Sequence, residues 1–441
     1  MSYNPFDKAV GEPLQPEDLQ TLITRQVAEG YYVEYKGEMP NSTKIGRSLA
    51  SLANTYGGWY IVGIKTDEHN VAAVVSGFDP ASCHDPISVV RDLVKHHIDP
   101  VPVFFPQVIT LDTGNLVLVV HIPDKQETPF ITRDGRLYRR THDSSDPIPE
   151  SSRYAVDQLV ERGKEVSKQF ARFSKDDRTF SNAEEDGWLK IYISPYPLGL
   201  TDHPDVRSKS VIEGLLKASE KAIQIPLFSN PEATTISGNI AFNAAHPTPS
   251  SVVLRLTNIQ NEAFHSLTME LDSLGRAKIF IPLSQIELQD FSKIRSPIVR
   301  QQILDRLEIK GGRHHTSLKF FNVGTIWLTI AFLANYYLEW LGETTSLTDF
   351  QVALELNGVW RHVPFYDFDS WGEHVQQLGL PVLMRDYVRF PKDEEKGLFI
   401  GTEDTLWLHL CLNFGLACGL PPEFFANSIG TVITDAAGLK D

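Results

Sequence analysis

One stretch limits the fold more than any other: SLASLANTYGGWYIVGI, residues 48–64, in which an amphipathic run meets an apolar run across two glycines. Ile45, Leu49, Leu52 and Ala53 recur at helical spacing, so PNSTKIGRSLASLANTYGG is expected to be a helix that starts at Asn41 or Ser42 and stops at Gly57 and Gly58. WYIVGI reads as a buried strand, KTDEHN as its turn and VAAVV as the return strand. The glycine pair is read as a helix stop and a close-packing device. A phosphate cradle is disfavoured because no GxxxxGK[ST] pattern supplies the lysine. Asn54 is expected to hold the turn through its side chain.

The flanking segments alternate helices and strands. QPEDLQTLITRQVAEG carries Pro16 in its first turn and Leu19, Leu22, Ile23 and Val27 on one face. A short strand is expected at residues 31–36. DPISVVRDLVKHHIDP reads as a helix capped by Asp85 with Pro86 at its first position. Two hairpins are expected next, one turning at residues 112–115 and one in PFITRDGRLYRRT at Asp134 and Gly135, and the helix PESSRYAVDQLVERGKEV closes the unit. This order predicts an α+β fold with a mixed, largely antiparallel sheet. At 441 residues the chain exceeds one ordinary core. The expected organisation is a domain at residues 1–168, a polar linker at 169–185 and a second α+β domain at 186–441. The second carries strands such as WLKIYISPYP and AKIFIPL and apolar helices near residues 326–340 and 406–418. It shows no chemical signature, and a sensing or regulatory role is expected of it.

Charge narrows the partners. The net charge of −15 argues against a generally basic nucleic-acid binder, yet binding responds to local patches. Residues 1–164 hold 16 Lys and Arg against 22 Asp and Glu, a balance of −6, so any patch must be local. Two runs stand out: RDGRLYRR, with Arg133, Arg136, Arg139 and Arg140, and residues 293–319, with seven basic residues against Asp305 and Glu308. The arginine hairpin is a candidate ribbon along a phosphate backbone. Three cysteines, Cys83, Cys411 and Cys418, make no disulfide framework. A reducing cytoplasm follows as the expected location, since no apolar leader opens the chain and the apolar run at residues 325–342 is broken by Asn335 and Glu339. His96–His97 and His314–His315 are adjacent pairs whose side chains diverge, so neither forms a metal site alone.

The remaining cluster is EGYYVEYK. On a strand, Glu34 and Lys36 share one face, and Glu29 at the end of the preceding helix can swing toward it. Two carboxylates and a lysine suit a divalent metal, with the lysine steadying a phosphate; the competing reading is a surface Glu–Lys pair.

The pattern Glu29-x-x-x-x-Glu34-Tyr35-Lys36, followed by LANTYGG and WYIVGI, resembles the Schlafen AlbA-type core domain, and TPFITRDGRLYRRTHDSSDPIPESSRYAVDQLVERG is similar to its closing segment. The resemblance covers about residues 16–163. It implies a Schlafen/AlbA-like mixed sheet with helices and a nucleic-acid partner, RNA or DNA. Family members include nucleotide-binding modules, DNA-binding regulators and metal-dependent endoribonucleases. By that resemblance Glu29, Glu34, Lys36 and Asp67 are the candidate catalytic residues, and Glu29, Glu34 and Asp67 the ligands of Mg²⁺ or Mn²⁺. Lys65 stands where the family's aspartate is expected, which leaves Asp67 as the substitute. The alternative is a non-catalytic regulator or an ATP-binding module. Eukaryotic relatives carry two copies of this core around a nucleic-acid channel, whereas this chain has one, so a homodimer through the N-terminal domain is expected.

Overall fold

The computed structural model of the chain describes residues 3–6, 8, 10–141, 144–175, 187–198, 205–226, 235–256, 267–283, 294, 296–309, 319–342, 349–366, 369–392, 397–401 and 405–420. The architecture is α+β. The chain divides into two compact units, one of Met1–Arg172 with Pro195–Asp202 and Glu343–Asp349, the other of Phe173–Ser194, His203–Gly342 and Phe350–Asp441.

In the first unit, helix α1 (Pro16–Thr24) precedes strand β1 (Val33–Lys36), and helix α2 (Ser42–Asn54) leads into β2 (Gly58–Val62). A small hairpin, β3 (Ile64–Thr66) and β4 (Ala72–Val75), is followed by α3 (Pro86–His97) and β5 (Ile98–Asp99). Then come β6 (Phe105–Thr110), β7 (Leu116–Ile122), β8 (Ile131–Thr132), β9 (Tyr138–Thr141), β10 (Ser144–Pro149) and the long helix α4 (Arg153–Lys175). The main sheet has the order β1-β2-β7-β6, with β1 parallel to β2 and the other neighbours antiparallel.

Strand alternation assigns the two faces of this sheet. Val33, Tyr35, Trp59 and Ile61 pack with Leu19 and Leu22 of α1, while Tyr60, Val62, Leu118 and Val120 pack with Leu49 and Leu52 of α2 and Val90 of α3. Asn41 caps α2 by accepting from Lys44 N at 3.0 Å. At the other end Gly57 N donates to Leu52 O at 2.9 Å, and Gly57 and Gly58 take φ of +67° and +134°. A Cβ at Gly57 would collide with Ile122 O, and one at Gly58 with Tyr32 O. Both conformation and space therefore demand glycine.

Three local expectations change. Asn54 does not hold the glycine turn: its Nδ2 donates to Phe130 O (2.7 Å) and Tyr138 O (3.0 Å), and its Oδ1 accepts from Phe130 N (2.8 Å). It clamps two distant segments onto the end of α2. PFITRDGRLYRRT is a hairpin only near its turn, where Ile131 bridges Leu137 antiparallel. The turn exists, with Thr132 N donating to Arg136 O at 2.9 Å, but β8 pairs with β5 and β9 pairs with β10. Residues 169–175, read as linker, continue helix α4, and residues 176–186 lie outside the described residues.

The second unit carries β11 (Trp188–Tyr196), α5 (Lys209–Ser219), β12 (Ile223–Pro226), β13 (Thr235–Gly238), β14 (Ala244–Pro247), β15 (Ser251–Leu256), β16 (Leu267–Asp272) and β17 (Ala277–Pro282). After these come α6 (Pro297–Ile309), β18 (Lys319–Asn322), α7 (Val323–Leu341), β19 (Asp349–Asn357), β20 (His362–Phe365), α8 (Asp369–Leu378), β21 (Tyr387–Phe390), β22 (Leu398–Ile400) and α9 (Leu406–Ala417). Its large sheet runs β14-β15-β16-β17-β11-β19-β21, with β22 also on β19. Leu189, Ile191, Ile279, Met269 and Leu354 line one face and join α7 and α9 in the core. Helix α7 is tied inside by Tyr336 Oη to Leu215 O (3.0 Å) and Tyr337 Oη to Gly275 O (2.6 Å), and among the described residues no helix is long and apolar enough to cross a membrane. Cys411 and Cys418 are buried free thiols pushed up by burial. Of the basic run at residues 293–319, Pro297–Ile309 form α6, whereas Lys293, Arg295, Lys310, Arg313, His314 and His315 lie outside the described residues.

Candidate nucleic-acid interface

Strand β1 sets Glu34 opposite Tyr60, on the sheet face that α2 covers. Its carboxylate is 1 % exposed and fully engaged. Oε1 accepts from Ser48 Oγ at 2.8 Å and pairs with Lys36 Nζ at 2.9 Å, while Oε2 pairs with Arg140 Nη2. The Arg140 side chain is 0 % exposed, and its Nη1 also donates to Gly30 O and Val33 O. Burial lowers the Arg140 pKa, and the charges of Glu34 and Glu29 oppose that shift. Tyr60, beneath the pair, has its pKa raised by burial and then by Glu34, and its hydroxyl has no hydrogen-bond partner among the described residues.

Glu29 does not end a helix, because α1 stops at Thr24. It follows an isolated bridge between Ala28 and Val71, and its Oε1 accepts from Tyr35 N at 2.7 Å. Glu34, Lys36 and Arg140 are thus brought together, and Glu29 lies close enough for its charge to act on Arg140. Asp67 is not among them. It is exposed in the β3–β4 turn, where Oδ1 accepts from His69 N and Val71 N at 2.9 Å each, and these amides, Val71 first, lower its pKa.

A divalent cation needs several free carboxylate oxygens converging on one point. Here Glu34 already faces two cations and a hydroxyl, and Asp67 turns its Oδ1 to the amides of its own turn. Among the described residues no group of three or more His, Cys, Asp or Glu side chains is placed to hold a metal. Among the described residues, Glu29, Glu34 and Asp67 therefore do not converge as a donor set for Mg²⁺ or Mn²⁺.

The four arginines of the sequence motif separate. Strand β9 alternates, so Tyr138 and Arg140 face inward while Arg139 faces out, half-exposed and paired with Glu150 at 2.7 Å. Arg140 is therefore part of the interior and not of a binding surface. Its signal lay in the period of two: with Tyr138 in the core, the residue two further on shares its face. Arg133 and Arg136, in the β8–β9 turn, are exposed.

That turn has cationic neighbours that sequence reasoning missed. Arg133 N donates to His97 O at 2.8 Å, which joins the turn to the end of α3, where Lys95, His96 and His97 form a basic last turn. Arg47 of α2 pairs with Asp134 at 3.1 Å and lies 5.2 Å above the Tyr138 ring. The Thr132 hydroxyl, with Tyr138 and Arg47, lowers the Asp134 pKa. Arg47, His97, Thr132, Arg133 and Asp134 line a shallow cleft of about 250 Å³. Three elements far apart in sequence thus build one basic face.

A larger cavity of about 920 Å³ opens between the loop after β1, the strand β3 and the start of α3. Glu38, Asp79, Asp85 and Asp92 line it against Lys65 and His84. That balance repels a polyphosphate.

Residues 29–149 match the family model described as Schlafen, AlbA_2. Among solved structures, the chain is similar to the DIP2311 protein from Corynebacterium diphtheriae, at 20% identity and a TM-score of 0.20, over 30% of this chain and 25% of that one. The match thus spans a quarter of the DIP2311 chain. It is also similar to the N-terminal domain of a RecG-related protein from Nitrosomonas europaea, at 20% identity and a TM-score of 0.22, over 30% of this chain and 92% of that one. No curated protein matches.

Proposed function

We propose that this protein, whose residues 29–149 match the Schlafen, AlbA_2 family model, binds nucleic acid on the face formed by Arg47, Arg133, Arg136 and the basic last turn of α3, and that it does so without metal-dependent cleavage. The observation that carries the reading is the convergence of α2, α3 and the β8–β9 turn. In a chain of net charge −15, exposed cations gathered from three separate elements suit a polyanion, and phosphate contacts depend on such local groups. The Glu34–Arg140 pair supports the second half, since a guanidinium occupies the carboxylate that a metal would need.

The alternative ATP-binding reading draws no support from the large cavity, whose carboxylates oppose a triphosphate.

The test is the double substitution Arg133→Ala/Arg136→Ala, followed by fluorescence anisotropy with oligonucleotides across a salt series. Loss of two phosphate contacts is expected to flatten the slope of log K against log salt by about 1.4 to 1.8. Incubation of the unsubstituted chain with RNA and DNA is expected to give no cleavage that Mn²⁺ induces. An unchanged slope overturns the interface, and Mn²⁺-dependent cleavage lost in Glu34→Gln overturns the non-cleaving reading.

A further inference from the structure

Beside the basic face lies a feature that the proposed binding mode leaves unused. Tyr56 sits between the end of α2 and the glycine pair and is 51% exposed. The turn cannot move easily. Gly57 N is bonded to Leu52 O, and the Arg162 guanidinium bonds Ala53 O at 3.0 Å, Asn54 O at 3.4 Å and Thr55 O. Around Tyr56 stand three more tyrosines. Its ring is edge-on to Tyr31 at 5.9 Å and tilted against Tyr32 at 6.2 Å, and Tyr32 stacks on Tyr3 at 5.3 Å with 25° between planes. Tyr3 is 39% exposed. The rings are fixed by one another before any ligand arrives, so little ordering remains to oppose binding.

Strand β9 joins this cluster to the arginines. The Tyr138 ring, at one end of β9, lies beneath Arg47, while Arg140 N donates to Thr55 Oγ1 at 3.0 Å, next to Tyr56. Along α2, Arg47 and Asn54 are separated by about 10 Å of rise. A chain carrying regularly spaced negative charges and flat apolar groups matches that layout. Duplex nucleic acid does not, because its bases are stacked on each other and present no free face.

We propose that the Tyr56 cluster is a stacking platform for unpaired bases, and that the protein's ligand is single-stranded nucleic acid held by its phosphates on Arg47, Arg133 and Arg136. This deepens the nucleic-acid reading above and rests on it. Tyr56 is the residue that contacts the base; Tyr31 and Tyr32 hold its ring.

The experiment measures binding of the full chain and its Tyr56→Ala and Tyr56→Phe variants to dT20, rU20 and a 20-base-pair DNA duplex at fixed salt, with circular dichroism to confirm folding. Tyr56→Ala is expected to lose about 5-fold or more in affinity for the single strands, from stacking of ~1–3 kcal/mol per base, while duplex binding stays within about 2-fold. Tyr56→Phe is expected to bind like the unsubstituted chain, since the ring is retained. A strand carrying 2-aminopurine is expected to be quenched by the unsubstituted chain and not by Tyr56→Ala. The dT20 and rU20 arms tell whether the strand is DNA or RNA. Equal losses for single strand and duplex, or none, overturn the platform while Arg133→Ala/Arg136→Ala still reports on the basic face. No binding of any probe by the unsubstituted chain overturns the underlying reading and the platform with it.

Discussion

Arg140 and Glu34 are both ionisable and both out of reach of water, at 0 % and 1 % side-chain exposure. Removing such charges from solvent costs several kcal/mol each, and Ser48, Lys36 and the carbonyls of Gly30 and Val33 satisfy all that remains except Arg140 Nε, which has no hydrogen-bond partner among the described residues. Taking away one partner strands the other. Glu34→Ala and Arg140→Ala are each expected to destabilise the protein by ~3–5 kcal/mol. The double variant Glu34→Leu/Arg140→Leu is expected to cost less than the two single changes added together. Thermal unfolding of the four proteins checks this, with Arg133→Ala as an exposed control expected within about 0.5 kcal/mol of the parent. An Arg140→Ala protein that keeps its melting temperature yet binds nucleic acid poorly would move Arg140 back to the binding surface.

Between α2 and β2, two peptide units reverse the chain and bring it against two other segments. Gly57 approaches Ile122 O and Gly58 approaches Tyr32 O, so the turn fixes β2 beside both β7 and the lead into β1. Gly114, in the β6–β7 turn, also has positive φ, at +82°, but nothing lies within 4 Å of where its Cβ would be. The two positions separate strain from collision. Gly114→Ala is expected to cost ~1 kcal/mol, from backbone strain alone, and Gly57→Ala ~3 kcal/mol or more, because the backbone of β7 must also shift. Chemical denaturation of both variants decides it. Equal losses would mean that β7 yields readily and that the turn is not the rigid support Tyr56 requires.

At the scale of the whole molecule, the charge distribution raises a question of assembly. The exposed cations of the basic face belong to a chain of net −15, so a single copy presents a small positive area in a repulsive field. Pairing two copies doubles the basic groups available to one strand, and two-fold symmetry is the commonest arrangement of soluble oligomers. We therefore expect a homodimer through the N-terminal unit, favoured further by a bound oligonucleotide. Light scattering at micromolar concentration, alone and with dT20, checks it. A monomer under both conditions rules this assembly out.

The sequence by itself determined the elements whose causes are local. Helix α2 and strand β2 follow from the spacing of Ile45, Leu49 and Leu52 and from the apolar run after Gly58, and the β6–β7 hairpin follows from its turn residues. The apolar helices α7 and α9 were legible for the same reason. Glu34 and Lys36 were placed on one face correctly, because a strand's period is two. What the sequence could not carry was everything decided by contacts between distant residues. Arg140 lies 106 positions from Glu34, and only packing makes one the partner of the other. Asn54 binds Phe130 and Tyr138 across 76 and 84 positions, and the arms of the arginine hairpin pair beyond its turn with β5 and β10. Arg47, His97 and Arg133 meet only because α2, α3 and the β8–β9 turn converge. Side-chain charge is written in the sequence, but whether that charge faces water, a phosphate or another charge depends on which segments fold against it.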